Sequence, residues 1–150
     1  MKPISDFIAK KAILPEMKSR DKEGAIGELA QLLSNAYDNL DTKELYNLLL
    51  AREELCSTAM DGGMAIPHAK TSSVHGICGA FARSINGVEY GSSANEKTHL
   101  FFVLISPDKS AGLHLMALAQ ISRSFQDPTF RERIMQVNTV DEIYHLITGQ

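Results

Sequence analysis

The run Leu100-Phe-Phe-Val-Leu-Ile105 constrains this chain more than any other stretch. Its apolar side chains leave no polar face, so neither side of an extended chain here can meet water. Such a run fits a strand in the middle of a sheet covered on both sides. Pro107 follows at once and ends it. The cover must come from helices or a second layer of strands.

Helical patterns stand on both sides of that strand. Asp21 to Ala36 places Ile26, Leu29, Leu33 and Ala36 on one face, with Ser19 as the expected N-cap. Asp41 opens a second helix, and Glu44 three residues on can return its cap; Leu45, Leu48 and Leu49 form the apolar face. After Pro107 come Ser110 to Phe125, a helix opened by Asp127-Pro128, and a last one opened by the capping box of Thr139 and Glu142 and running towards Thr148. Between the two helical groups, Gly76 to Ser84 reads as a strand and Asn86-Gly87 as a turn after it. Val88 to Tyr90 would begin a return strand, and the polar run Gly91 to Lys97 would be loop. Helices around a small sheet predict an α/β sandwich of open strand order. No repeat, low-complexity tract or linker divides the 150 residues, so a single domain over residues 1–150 is expected.

Composition narrows the function class. A net charge of −3, with 15 basic and 18 acidic residues in no long block, offers no footprint for nucleic acid. The longest strongly apolar stretch is too short to enter and cross a bilayer, and Met-Lys-Pro-Ile-Ser-Asp-Phe lacks the apolar centre of a signal peptide. Cys56 and Cys78 suggest neither a disulfide framework nor a paired-cysteine zinc site, so a cytoplasmic, reducing setting is the expectation.

Three residues stand out chemically. Taking about 100° per helical residue, Arg52 lies within about 20° of Leu45 and between Leu48 and Leu49. A guanidinium on that face needs an anion; alternatively it closes the helix C-terminus or pairs with a nearby Glu. His114 shares the inward face of its helix with Ala117, Leu118, Ile121 and Phe125, in the first turn, where backbone N–H groups favour anions and disfavour imidazolium. A hydrogen-bonded core histidine is the alternative there. His68 leaves a Gly-Gly loop and a short apolar run, presented by Pro67 from a stiff backbone. A neutral imidazole is a good nucleophile towards phosphorus, and phosphoryl transfer asks only for alignment and donors to the equatorial oxygens.

The runs Ala51-Arg-Glu-Glu-Leu-Cys-Ser-Thr58 and Gly63-Met-Ala-Ile-Pro-His-Ala-Lys70, with the Phe-Phe-Val-Leu-Ile strand and the His114-Leu115 helix, resemble the fructose/mannitol class of enzyme IIA domains. These belong to the bacterial phosphoenolpyruvate-dependent phosphotransferase system and include the nitrogen-regulatory IIA proteins. The resemblance implies a three-layer sandwich with a mixed β-sheet between helices. It implies phosphotransferase activity with His68 as the phosphorylated histidine, His114 as the second active-site histidine and Arg52 as the supporting arginine. The implied phosphodonor is HPr or its nitrogen-branch relative, the implied acceptor an enzyme IIB or a regulatory target, and no metal or organic cofactor is implied.

Where the family usually reads Thr-Gly-Ile-Gly before the histidine, this chain has Thr58-Ala59-Met60-Asp61. Ala59 would resist a positive φ, and Asp61 would oppose a phosphoryl group if it faced His68. Met60, Asp61 and Met64 flank the histidine in sequence and are candidates for a docking rim, with core packing the alternative for both methionines and above all for Met64. Three functions compete: a regulatory phosphocarrier of the nitrogen type, a IIA component of a fructose/mannitol-type sugar uptake system, and a zinc hydrolase using His68, His114 and His99 or Asp61. The absence of an attached IIB or membrane domain in the sequence favours regulation over uptake. No His-Glu-x-x-His or similar spacing favours the hydrolase. His75, His99 and His145 are expected to be structural or on the surface.

Overall fold

The computed structural model describes residues 3–91 and 96–149. A short 3-10 turn (Ile4–Asp6) leads into strand β1 (Ile8–Leu14) and helices α1 (Lys22–Ala36) and α2 (Thr42–Leu55). Three short strands follow: β2 (Ala59–Met60), β3 (Met64–Ala65) and β4 (His68–Thr71). Two long ones, β5 (Cys78–Val88) and β6 (Thr98–Pro107), precede helices α3 (Ala111–Phe125), α4 (Pro128–Gln136) and α5 (Val140–Thr148).

The apolar run lies inside β6, and its residues from Phe101 to Ile105 are fully buried. Strand order is β1-β5-β6-β3-β2, with β4 also on β6. Pairing is parallel for β1 with β5 and for β3 and β4 with β6, and antiparallel for β5 with β6 and β2 with β3. This is the expected mixed sheet flanked by helices. Helix α1 lies against β1 and β5, α2 against α1 and β4, α3 against β6, and α5 against β1.

Most helix signals act as read. Asp127 caps α4 through Thr129 N–H with Pro128 in the first turn, and Thr139 and Glu142 form the reciprocal box of α5. The N-cap of α1 is Asp21, whose Oδ1 accepts from Gly24 N–H at 2.8 Å, in place of Ser19. Ser19 is held instead by its own N–H, which donates to Glu28 at 2.7 Å. Asp41 caps α2, but Glu44 accepts from Thr71 Oγ1 at 3.2 Å and so ties α2 to β4.

Two readings change. Asn86-Gly87 does not reverse the chain: β5 continues to Val88, with irregular register between Arg83 and Val88. Gly87 takes a φ of 89° and donates its N–H to Ser84 Oγ, so the left-handed residue makes a bulge. Strand β1 went unread because Lys10-Lys11 interrupts its apolar residues on an outer strand. In the run Gly91 to Lys97, residues 92–95 lie outside the described residues. Among the described residues no helix is long and apolar enough to cross a membrane.

Candidate active site

Strands β3 and β4 are one strand broken in two. Both run parallel along the same edge of β6, with Met64 opposite Leu100 and His68 opposite Leu104. The break falls at Ile66-Pro67, because Pro67 has no N–H for the ladder. Its carbonyl still accepts from Leu104 N–H at 3.0 Å, so the segment stays fastened across the gap.

His68 is the first residue after the break. Its Nδ1 lies 2.6 Å from the carbonyl oxygen of Ile66. A carbonyl can only accept, so Nδ1 carries the proton and Nε2 keeps a lone pair. Burial lowers the pKa of the ring; the Ile66 hydrogen bond opposes this, Arg52 lowers it further and Glu53 raises it.

His114 sits in the first turn of α3 and is buried. Its Nδ1 is 2.6 Å from Oγ of Ser106, itself fully buried at the end of β6. Burial first, then His68 and Lys70, push its pKa down to about 4, so the ring is neutral near neutral pH. The two imidazoles face each other with centroids 5.3 Å apart and planes at 57°.

Arg52 joins them at the wall of one open cavity of about 570 Å³. Leu48 and Leu55 of α2 and Leu115 and Leu118 of α3 supply its apolar sides, and Lys70 stands at its edge. The buried stripe of α2 is Leu45, Leu49 and Glu53, so Arg52 lies on its border and not at its centre. Its Nη1 donates to the carbonyl of Cys56 at 2.8 Å, the helix-closing alternative. Among the described residues no carboxylate lies within ion-pair distance of it. The cavity therefore joins an imidazole with a free Nε2 lone pair, a second neutral ring and a cation, an arrangement suited to receiving an anion.

The departure before the histidine causes no strain. Positive φ angles in this loop fall on Gly62 and Gly63, at 96° and 79°, and Ala59 and Met60 are ordinary strand. Asp61 lines a separate cavity with Ser57, Met60 and Glu96, away from the one holding His68. Met64 is core. Met60, Asp61 and Met64, expected at a docking rim, thus do not line the His68 cavity, whose exposed apolar residues are Leu55 and Leu115, 83% and 65% exposed. His99 hydrogen-bonds Ser84 O through Nδ1 and does not line the cavity, which leaves the zinc hydrolase without its third ligand.

Two buried polar side chains beside the site are not evident from the sequence. Ser106 looks like the polar exit of a strand, and its partner comes from the next element. Glu53 looks like an exposed helical acid, yet it is buried and accepts four hydrogen bonds.

Residues 6–150 match the family described as the phosphoenolpyruvate-dependent sugar phosphotransferase system, EIIA 2. The chain is 32% identical over 145 residues to a nitrogen regulatory protein of Bradyrhizobium diazoefficiens, covering 97% of this chain and 94% of that one. It is also 32% identical over 144 residues to a fructose-specific EIIABC component of Bacillus subtilis, covering 96% of this chain and 23% of that protein. The crystal structure of nitrogen regulatory protein IIA-Ntr from Neisseria meningitidis superposes with a TM-score of 0.89 at 28% identity, over 97% of this chain and 99% of that one.

Proposed function

The chain belongs to the EIIA 2 family of the phosphoenolpyruvate-dependent sugar phosphotransferase system, and on that premise we propose that it carries a phosphoryl group on Nε2 of His68. The observation that carries the reading is the 2.6 Å contact from Nδ1 to Ile66 O. It leaves the nucleophilic nitrogen as the one able to face the cavity shared with Arg52 and His114.

The Nε2 lone pair attacks phosphorus on a donor phosphohistidine, the donor N–P bond breaks, and its electron pair returns to the donor ring. No proton has to leave Nε2 first. Arg52 and His114 act as donors to the equatorial oxygens as charge passes through the transition state. For His114 to donate from Nε2, its Nδ1 must accept, so the hydroxyl of Ser106 donates to it.

The donor that fits is an HPr-type phosphocarrier, and the receiving partner is an enzyme IIB or a regulatory target. Nitrogen regulation is the favoured role, supported by similarity along nearly the whole of the Bradyrhizobium and Neisseria proteins. Equal identity to the Bacillus fructose component favours sugar uptake as the second reading. Transfer to a fructose-type IIB would favour uptake; a phosphoform that gives nothing to it would favour regulation. Residues 1–150 are read as one domain, supported by the single sheet and the extent of the family match. Free cysteines suit a cytosolic setting.

The test is labelling with phosphoenolpyruvate, enzyme I and an HPr-type donor. Wild type should take one phosphoryl group, labile in acid and stable in alkali, and folded His68→Ala none. Full labelling of His68→Ala would overturn the assignment.

A further inference from the structure

Glu53 is 4% exposed, and among the described residues it forms no ion pair. Its carboxylate is instead filled by donors: Oε2 accepts from Ser57 Oγ at 2.6 Å and Thr58 N–H at 2.9 Å, and Oε1 from Thr58 Oγ1 at 2.5 Å and Tyr90 O–H at 2.9 Å. Tyr90 is buried as well, and burial raises the pKa of its phenol, so it remains a donor. An uncompensated carboxylate in a core is costly, and apolar packing often serves stability as well or better. Stability alone therefore does not explain why a hydrogen-bonding side chain stands here.

The hydrogen bonds lead from this acid to the reacting ring. Thr58, held at N–H and hydroxyl by Glu53, uses its carbonyl to accept from Ile66 N–H at 3.2 Å. Ile66 in turn offers its carbonyl to His68 Nδ1. On α2 itself Glu53 immediately follows Arg52, so the same anchor sets the helical turn from which Arg52 reaches the cavity.

We propose that Glu53 is the positioning residue of the phosphoacceptor, its buried carboxylate fixing Thr58 and, through Ile66, the tautomer and orientation of His68. The proposal rests on His68 being the acceptor. It makes a distinct demand: hydrogen-bonding capacity at residue 53 matters more than charge. A glutamine can meet it. Its carbonyl would take the Oε2 site facing Thr58 N–H, and its amide the Oε1 site, where both hydroxyls can turn to accept.

The experiment pairs histidine 15N NMR with the rate of transfer from phosphorylated HPr-type donor, for Glu53→Ala, Glu53→Gln and Thr58→Val. Glu53→Ala should leave the His68 ring in a mixture of tautomers and slow transfer by about tenfold or more, as misplacement of a reacting group does. Glu53→Gln should keep the Nδ1–H tautomer and transfer within about threefold of wild type, having traded charged for neutral hydrogen bonds. Thr58→Val, which removes one hydroxyl and keeps the backbone links, should move both readouts in the direction of Glu53→Ala, and it decides the matter if Glu53→Ala does not fold. A folded Glu53→Ala or Thr58→Val with unchanged tautomer and rate would overturn the proposal, as would Glu53→Gln failing as badly as Glu53→Ala. Failure of the His68 assignment would show separately, as wild-type label on another residue beside an intact tautomer response.

Discussion

The two histidines of the cavity are held by different kinds of atom. His68 rests on a backbone carbonyl, which can only accept; His114 rests on a serine hydroxyl, which can donate or accept. The first hold permits one tautomer and leaves the lone pair on Nε2. The second lets the ring change its state when charge arrives beside it. Position follows the same division, since His68 is half-buried at a strand break while His114 is buried in a helix turn with its pKa down at about 4. A fixed ring suits covalent attachment, and an adjustable one suits support.

Breaking the supporting side should give the largest loss short of removing His68 itself. Arg52→Ala and His114→Ala should each slow transfer about ten- to a thousandfold, the range for a lost transition-state donor. Label should still end on His68 in both, as peptide mapping would show. Label moving to His114 in any variant would erase the distinction between the rings.

Removing only the adjustable hold should cost less. Ser106→Ala leaves both rings in place and removes one neutral hydrogen bond, so transfer should fall about three- to tenfold. The same change should shift His114 towards a mixture of tautomers by 15N NMR and leave His68 alone. An unaltered His114 tautomer would deny Ser106 its role.

The two rings also share a pH response. The folded-state pKa of His114 is depressed to about 4 from an ordinary value of 6.5, so between these values the unfolded chain binds more protons. Stability is therefore full above about pH 6.5 and falls as pH drops towards about 4. His68, also lowered, adds in the same direction. Urea midpoints measured down this range should decline, and His114→Ala should decline less; identical declines would place the burden elsewhere. The smallest effect is expected from Asp61→Lys, which should leave the rate of transfer to His68 unchanged, since Asp61 lines a different cavity.

Legibility in the sequence followed locality. The buried strand β6, the capping box of α5 and the Asp127-Pro128 start of α4 were readable because each signal lies within a few consecutive residues. Both histidines and Arg52 were legible as candidates, and the structure brings all three to one cavity. What failed needed distant partners. The burial of Glu53 depends on Tyr90, 37 residues away, and the role of Ser106 on a ring in the next helix. Arg52 was placed about one helical position too deep, because apolar Leu48 suggested a buried face where the fold opens a cavity wall. Asn86-Gly87 carried a true backbone signal, positive φ at Gly87, but the sheet used it for a bulge.

The carbonyl-held ring should take the phosphoryl group on its free nitrogen. Protein labelled with 15N-histidine and phosphorylated by an HPr-type donor tests it directly through 31P–15N coupling. One phosphorus should couple to Nε2 of His68, with the Nδ1 proton of that ring retained. Coupling to Nδ1 of His68, or to either nitrogen of His114, would contradict it.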